Sequence, residues 1–208
     1  MLKKKTNNIL LTIATILTLT SCILSSCNDD IEYTTSPDAH LTFKQDTIRL
    51  DTIFTETTSV TKRFCVYNYN SKYVRIKSIR LESQGDSGFM INADSESGNI
   101  INDISIGDHD SISVFVKARL ATQNNLKPQL VSDHVIFTME NGNEYKVRLE
   151  AYGQDRHVAK AKTISADTTL SPSDLPWVVF DSLVVEQGAT LTITPGTTIY
   201  FHNDAKLI

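Results

Sequence analysis

The stretch Tyr73–Ser83, YVRIKSIRLES, contains two short alternating runs of apolar and polar residues that are out of step with each other. Val74 and Ile76 share one parity, whereas Ile79 and Leu81 share the other. Because side chains alternate between the two faces of a strand, this change of parity requires one extra residue. The sequence therefore predicts a strand with a β-bulge or a bend at Lys77-Ser78, between Ile76 and Ile79.

Similar runs follow one another from His40 to Gln154, and none of them has helical periodicity. Two of the predicted strands flank Asn141-Gly142-Asn143, where residues that accept a positive φ suit a hairpin turn. Several short strands at this spacing favour an antiparallel β-sandwich. The apolar residues that alternate along these strands include Leu41, Phe43, Ile48, Leu50, Val60, Phe64, Val66, Ile112, Val114 and Val116.

Four segments of this region together resemble the Ig-like domains of the Hydin type, which occur in bacterial surface proteins and in cilia. They are VYNYNSKYVRIKSIRL (66–81), FMIN (89–92), DSISVFVKARL (110–120) and GNEYKVRLEAYGQD (142–155). The resemblance covers most of the predicted sandwich and rests on strand pattern. It implies a spacer or interaction module, and no catalytic residue is carried over from it.

The closing segment, 183–208, repeats with a period of eight. Three series share this period: Leu183, Leu191, Ile199 and Leu207; Val185, Ile193 and Phe201; and, at the turn position, Gly188, Gly196 and Asp204. Each unit is a short strand followed by a turn that accepts a left-handed residue. The period suits a three-sheet solenoid with about three units per coil, in which a strand pairs with the coil above it. An antiparallel meander with a hairpin at 194–197 is the alternative.

The segment GATLTITPGTTIYF (188–201) resembles the N-terminal entry into the right-handed parallel β-helices of bacterial surface proteins. We therefore expect an all-β protein. An Ig-like antiparallel β-sandwich over 40–154 would be followed by the entry and first coil of a parallel β-helix over 155–208. Since a solenoid normally needs three or more coils and a cap, this module is expected to be incomplete and the chain truncated.

The N-terminus has the pattern of a signal peptide over 1–26. Lys3-Lys4-Lys5 precede the apolar stretch 9–19, and small residues follow it. Two tetrapeptides there end in cysteine, LTSC at 19–22 and LSSC at 24–27. Both resemble the lipobox of bacterial lipoproteins, whose cysteine carries acyl chains.

Cys27 is the favoured lipidation site and Cys22 the alternative, because the polar run Asn28-Asp29-Asp30 follows Cys27 at once. Acidic residues in this place resemble the surface-export signal of lipoproteins in the Bacteroides group. The resemblance implies a palmitate-type anchor, a lipidated tether over 27–39, and a surface-exposed outer-membrane lipoprotein of the cell envelope. The partners would be the membrane, reached through this anchor, and a surface glycan or protein.

Charge and cysteine content narrow the classes of function. Cleavage before Cys27 removes three lysines, so 17 basic residues face 24 acidic ones and the formal charge changes from −4 to −7. An acidic protein repels phosphate polyanions, which argues against a nucleic-acid partner. With Cys27 acylated, Cys65 is the remaining cysteine, and we expect it to be a small buried apolar residue rather than a reactive thiol.

No motif in the sequence indicates catalysis, a cofactor or a metal. The five histidines lack metal-ligand spacing, and Asp94–Asn99 suits a solvated turn better than a calcium loop. Trp177 is expected to cover the N-terminal end of the first coil rather than to stack on a sugar. The histidines are His40, His109, His134, His157 and His202.

Two main functions are compatible with this pattern, beside a role as a subunit of a larger envelope assembly whose edge at Ile208 pairs with another chain. The first is a non-enzymatic, adhesin-like envelope lipoprotein whose Ig-like module acts as a spacer and presents a β-helix for adhesion or glycan contact. The second is a stalk fragment of a carbohydrate-active β-helix enzyme, a polysaccharide lyase or hydrolase.

Overall fold

The computed structural model describes residues 31–172 and 174–208, and Tyr33–Ile208 form the unit discussed below. The predicted signal peptide and both candidate lipidation sites, Cys22 and Cys27, lie outside the described residues. The described part is all-β. Among its residues none belongs to a helix with the length and apolar character needed to cross a membrane.

Within residues 31–154 of the described chain, ten strands build two five-stranded sheets. The strands are β1 (Thr42–Phe43), β2 (Thr47–Phe54), β3 (Lys62–Tyr67), β4 (Val74–Leu81), β5 (Phe89–Ala93), β6 (Glu96–Gly98), β7 (Ile100–Ile106), β8 (Ser111–Ala118), β9 (Gln129–Met139) and β10 (Glu144–Gln154). The first sheet has the order β1-β3-β8-β5-β6 and the second β2-β10-β9-β4-β7. Every neighbouring pair is antiparallel except β2 and β10, which are parallel.

Strand β4 contains the predicted bulge. Its pairing with β9 shifts between Ile76 and Ser78, where one residue is inserted. The shift keeps Val74 and Ile76 before it, and Ile79 and Leu81 after it, fully buried. The double parity in the sequence is therefore the mark of this bulge.

The core of the sandwich lies between the two sheets. The ring of Phe137 on β9 meets Phe43 of the first sheet at a centroid distance of 5.1 Å and Phe64 at 6.3 Å. Val114 and Val116 are buried, and Ile112 packs against the same cluster. The prediction was wrong for Val60, which precedes β3 and is 70 % exposed.

The turns of the sandwich agree with the sequence. Gly142 has a φ of 88° between β9 and β10, where the hairpin was predicted. Asp94 and Ser95 both have positive φ and join β5 to β6, so this part of the 94–99 segment is a two-residue hairpin turn.

In the described residues 157–172 and 174–208, six further strands pair in parallel. They are β11 (His157–Ile164), β12 (Thr168–Leu170), β13 (Trp177–Val185), β14 (Leu191–Ile193), β15 (Ile199–Phe201) and β16 (Lys206–Leu207). Strand β13 lies between β11 on one side and β15 and β16 on the other, and β12 pairs with β14. We call residues 157–208 the parallel-strand module.

The pairing in this module is not that of a meander, because strands consecutive in sequence do not pair. Leu183 lies opposite Leu207, which follows it in the chain by three of the predicted repeat units. Strands β11 and β13 also pair in parallel, with His157 opposite Trp177. Parallel pairing therefore already begins in the segment that was expected to be the entry into the β-helix.

Left-handed residues interrupt two strands of the module. Strand β13 has one extra residue between Phe180 and Leu183, where Asp181 has a φ of 66°, and at the same register shift Ala161 of β11 has a φ of 46°. Gly188 and Gly196 have positive φ at the predicted turn positions. At the third turn the prediction was one residue off, since the left-handed residue is Asn203 and not Asp204.

Most members of the first apolar series pack into the module. Leu183 is buried beside Val179, and Leu191 and Ile199 pack against them, but Leu207 is 47 % exposed. In the second series Val185 packs against the same cluster, whereas Ile193 and Phe201 remain 44 % and 43 % exposed. The period therefore does not by itself separate inner from outer residues.

Most of the predicted tether is packed against the sandwich. Tyr33 forms a parallel bridge with Tyr73, and Ala39 is buried in the core. The side-chain amides of Asn141 and Asn143 donate to carbonyl oxygens of residues 36–39 at 3.0 and 3.1 Å. Residues 33–39 therefore belong to the folded unit, because the hairpin turn supplies donors that a polar segment can satisfy.

Asn68 closes one end of the sandwich. It is fully buried after β3, and its Nδ2 donates to the carbonyl oxygens of Lys72, Ile106 and Gly107 at 2.7 to 3.1 Å. Its Oδ1 accepts from the backbone and side chain of Asn70. A single side chain thus satisfies carbonyl groups from two loops.

Replacement of Asn68 by aspartate keeps the shape and removes the NH₂ donor. We expect Asn68→Asp to lower the free energy of unfolding by about 2 kcal/mol or more, because buried carbonyls lose their partner and face a carboxylate. Urea unfolding measures this loss. Asn92→Asp, at an exposed side-chain contact with Ser97, is the control and should change stability by less than about 0.5 kcal/mol; equal losses in the two variants would contradict the assignment.

Candidate functional site

The chain passes from the sandwich into the parallel-strand module through Asp155, whose carboxylate is buried. Its Oδ1 accepts from the hydroxyl of Thr55 at 2.9 Å and from the backbone N–H of Gln123 at 3.0 Å. Its Oδ2 accepts from the backbone N–H of Asn125 at 3.1 Å. One carboxylate therefore fastens the end of β2, the loop before β9 and the start of the module.

These hydrogen bonds determine the charge state of Asp155. Burial by itself would raise the pKa of this carboxyl, but the N–H groups of Gln123 and Asn125 and the Thr55 hydroxyl stabilise the anion. Their effect is the larger one, and the pKa of Asp155 lies below its ordinary value. Asp155 is therefore a charged anchor at neutral pH.

Phe54, the last residue of β2, connects the two parts of the molecule. Its ring lies edge-on to the ring of Tyr200 on β15, with 5.2 Å between centroids. The guanidinium of Arg156 lies 5.3 Å from the centroid of the same ring, and its Nη1 donates to Thr57 at 2.7 Å. Phe54 thus contacts the parallel-strand module through an aromatic pair and the linker through a cation–π interaction.

A cleft of about 540 Å³ opens beside this contact. Strand ends of the sandwich form one wall, and loops and β15 of the parallel-strand module form the other. Among its described lining residues Asp174 alone is charged. The wall consists of Thr52, Phe54, Leu126, Pro128 and Gln154 from the sandwich and Pro172, Asp174, Pro176, Gly196, Thr198 and Tyr200 from the module. We call this the junction cleft.

Local structure explains how these groups come together. Phe54 and Gln154 are directly opposite in the parallel pair β2–β10, so both strands end at the cleft. Gly196 has φ of 88°, and a Cβ there would come within 3.4 Å of the Pro172 side chain. The turn at Gly196 therefore approaches Pro172 closely and forms one side of the cleft.

Asp174 belongs to a second polar contact. Its Oδ1 is 2.8 Å from Nε2 of His157 and also accepts from the N–H of Leu175. The hydrogen bond with His157 is the main cause that lowers the pKa of Asp174, so the cleft carries a negative charge at neutral pH. The ring of His157 lies 4.7 Å from that of Trp177.

Trp177 is half-buried and packs against the cluster around Val179 and Leu183. Lys162 lies on β11, the parallel partner of β13, and its Nζ is 4.7 Å from the centroid of the Trp177 indole. The indole is thus covered by a lysine and a histidine ring.

The other residues considered in the sequence are not brought together. His134 contacts Glu82 at 2.7 Å, and the ring of His202 lies 4.9 Å from that of Phe180. Within residues 31–172 and 174–208 no three histidine, cysteine, aspartate or glutamate side chains are grouped as metal ligands. Cys65 is half-buried instead of buried, because it lies on the outer face of β3 between Phe64 and Val66.

Sequence reasoning missed the junction cleft. One signal was available for Tyr200. The eight-residue period places Ile199 and Phe201 on one face of the strand, so Tyr200 between them lies on the opposite face. The contact with Phe54 joins strands from the two ends of the described chain, and no local pattern in the sequence reports it.

No family model and no curated protein matches this chain. Among solved structures it is similar to a PapD-like domain of human CEP192, with 12 % identity, a TM-score of 0.38 and coverage of 64 % of this chain and 97 % of that domain. It is similar to the CupB6 tip adhesin of Pseudomonas aeruginosa, with 14 % identity, a TM-score of 0.38 and coverage of 53 % and 41 %.

A family 123 glycoside hydrolase of Clostridium perfringens also matches, with 10 % identity and a TM-score of 0.37. The match covers 55 % of this chain and 25 % of the hydrolase, so the chain spans about a quarter of that protein. The antiparallel sheets resemble Ig-like and PapD-like β-sandwich domains. At these scores the matches do not assign a function.

Asp155 gives a prediction for pH and stability. Since its folded pKa is lowered, its contribution is present above the unfolded value of about 3.9 and is lost as the pH falls through the folded pKa. In Asp155→Asn an amide donor faces the N–H groups, and we expect a loss of about 1 to 3 kcal/mol at pH 7. Urea titrations between pH 3 and 7 should show a shallower pH dependence for the variant.

Asp133→Asn is the matched control, because Asp133 is a buried carboxylate that accepts from Ser83 and Ser87 within the sandwich. Both variants should lose stability. Only Asp155→Asn should increase amide hydrogen exchange in residues 121–125. Faster exchange there in Asp133→Asn, and not in Asp155→Asn, would contradict the assigned role.

Proposed function

We propose that this protein is a non-enzymatic, lipid-anchored interaction protein of the bacterial cell envelope, whose sandwich is a spacer that carries a parallel β-helix for adhesion or glycan contact. The observation that carries the proposal is the direct continuation of the last sandwich strand, β10, into stacked parallel strands. Asp155 and Phe54 hold the two parts together at this point. Such a joint suits a stalk that presents a surface.

Three features support a parallel β-helix for the second part. Its strands pair in parallel with strands that lie about one predicted coil away along the chain. Its buried cluster is apolar, and residues with positive φ lie within β13 at Asp181 and between β15 and β16 at Asn203. These features favour a solenoid, in which each coil stacks on the one before.

The proposed anchor rests on the sequence LSSC at 24–27, directly before a polar run. The bridge of Tyr33 with Tyr73 makes residues 33–39 part of the folded unit, so the proposed tether ends before Tyr33. A tether that ends there is shorter than one that ends at Ala39, and the proposal therefore places the folded unit closer to the lipid headgroups.

The charge of the protein supports a partner other than nucleic acid. Without its signal peptide the chain has a formal charge of −7, from 17 basic and 24 acidic residues. The matches to a PapD-like domain and to an adhesin are compatible with an interaction module. We propose that the partner of this module is a glycan or a protein.

The anchor is tested by metabolic labelling with palmitate in a Bacteroides-type host. We expect label on the full-length protein, with the corresponding intact mass, and loss of label in Cys27→Ala but not in Cys22→Ala. Exposure at the surface is measured with a membrane-impermeant amine reagent on intact cells. Label that survives in Cys27→Ala and vanishes in Cys22→Ala would move the anchor to Cys22, and absence of label from the wild-type protein would refute it.

A further inference from the structure

The junction cleft has the chemical character of a site for one class of ligand. We propose that it binds a neutral carbohydrate chain, which stacks on Tyr200 and Phe54 and hydrogen-bonds to the polar groups of the wall. This inference rests on the proposed role as an interaction protein and assigns that role to a place on the molecule.

The rings of Tyr200 and Phe54 form the apolar part of the site. Tyr200 is 49 % exposed, and its ring is fixed against Phe54 at 5.2 Å in an edge-on arrangement. A pyranose ring has a face of C–H groups and a rim of hydroxyl groups. Its C–H face packs on an aromatic ring, while the phenol hydroxyl of a tyrosine stays available for hydrogen bonding.

Polar side chains of the cleft wall surround these rings. Thr52 and Gln154 come from the sandwich, and Thr198 and Asp174 from the parallel-strand module. Together they offer hydroxyl, amide and carboxylate groups, which match the mixed donors and acceptors of sugar hydroxyls. Both walls are needed, because the sandwich and the parallel-strand module each supply one of the two rings and only some of the polar groups.

The charge of the wall selects against acidic ligands. Asp174 is the charged group among the described lining residues, and its Oδ1 contacts His157. The guanidinium of Arg156 lies 5.3 Å from the Phe54 centroid but is not a lining residue. An anionic sugar or a phosphate that contacts the wall therefore meets the Asp174 carboxylate directly. A neutral chain of hexoses or pentoses avoids this repulsion.

The wall also disfavours an extended peptide. Pro128, Pro172 and Pro176 lack a backbone N–H, so this surface has few main-chain donors for pairing with a peptide strand. The prolines instead give flat apolar patches between the hydrogen-bonding side chains.

The exposed surface continues beyond the cleft along the outer face of the second sheet. Tyr152 is directly opposite Thr52 on one side and Leu130 on the other. Both Tyr152 and Leu130 are nearly half exposed. Because paired residues share a face of the sheet, this row extends from the cleft and can contact further sugar units of a chain.

The test uses the full-length chain in a zwitterionic detergent that has no sugar headgroup. The probes are linear pentasaccharides of β-1,4-linked glucose, mannose and xylose and of α-1,4-linked glucose, together with a proline-rich decapeptide and pentagalacturonate. Binding is measured by calorimetry and by the fluorescence of Trp177, the one tryptophan, which follows the lining residue Pro176. Amide chemical shifts locate the contact.

We expect at least one neutral pentasaccharide to bind, with shifts at Phe54, Gln154 and Tyr200. Affinity should fall at least tenfold in Tyr200→Ala and stay within threefold of wild type in Tyr200→Phe, which keeps the ring. Tyr69→Ala, at an exposed tyrosine beyond β3, is the matched control and should bind like wild type.

Absence of shifts at these residues with every neutral sugar would overturn the inference. Stronger binding of the decapeptide or of pentagalacturonate in the cleft would overturn it as well. These results do not depend on acylation, because the purified chain is titrated directly. Loss of palmitate label would refute the anchor and leave the binding result intact.

Discussion

The buried carboxylate of Asp155 is the contact on which the arrangement of this molecule depends. It accepts hydrogen bonds from β2 through Thr55 and from the loop before β9 through Gln123 and Asn125. The same residue is the first after β10 and the second before β11. The geometry of the exit from the sandwich is therefore fixed by charge-assisted hydrogen bonds. Phe54 and Tyr200 then lie face to edge, and the walls of the junction cleft meet.

Much of the fold could be predicted because strand periodicity is a local signal. The change of parity around Ile76 and Ile79 predicted a bulge that the structure contains, and the eight-residue period predicted the separation of Leu183 from Leu207. The prediction for Val60 was wrong because alternation by itself does not show where a strand begins, and β3 begins only at Lys62. The boundaries proposed for the domains, and the anchor, stay predictions.

The site could not be predicted in the same way. Its two rings come from strands that are far apart in the sequence, and what brings them together is a buried aspartate that looks like a loop residue in the sequence Gly153-Gln154-Asp155. Residues 33–39 show the same limit: their polar composition suggested a free tether, yet the amides of Asn141 and Asn143 bind their carbonyl oxygens. Side-chain contacts across the fold override local composition in both places.

The parallel pairing of β2 with β10 determines how this molecule would bear a mechanical load. Strand β10 lies between β2 and β9, and its end continues through Asp155 into the parallel-strand module. A pull on that module along the axis of β10 acts in the plane of the sheet, across the inter-strand hydrogen bonds on both sides of the strand. These bonds are loaded in shear and share the force, instead of opening one after another as in an unzipping hairpin. The connection between the sandwich and the parallel-strand module is thus placed at a strand that is held on both sides against extension.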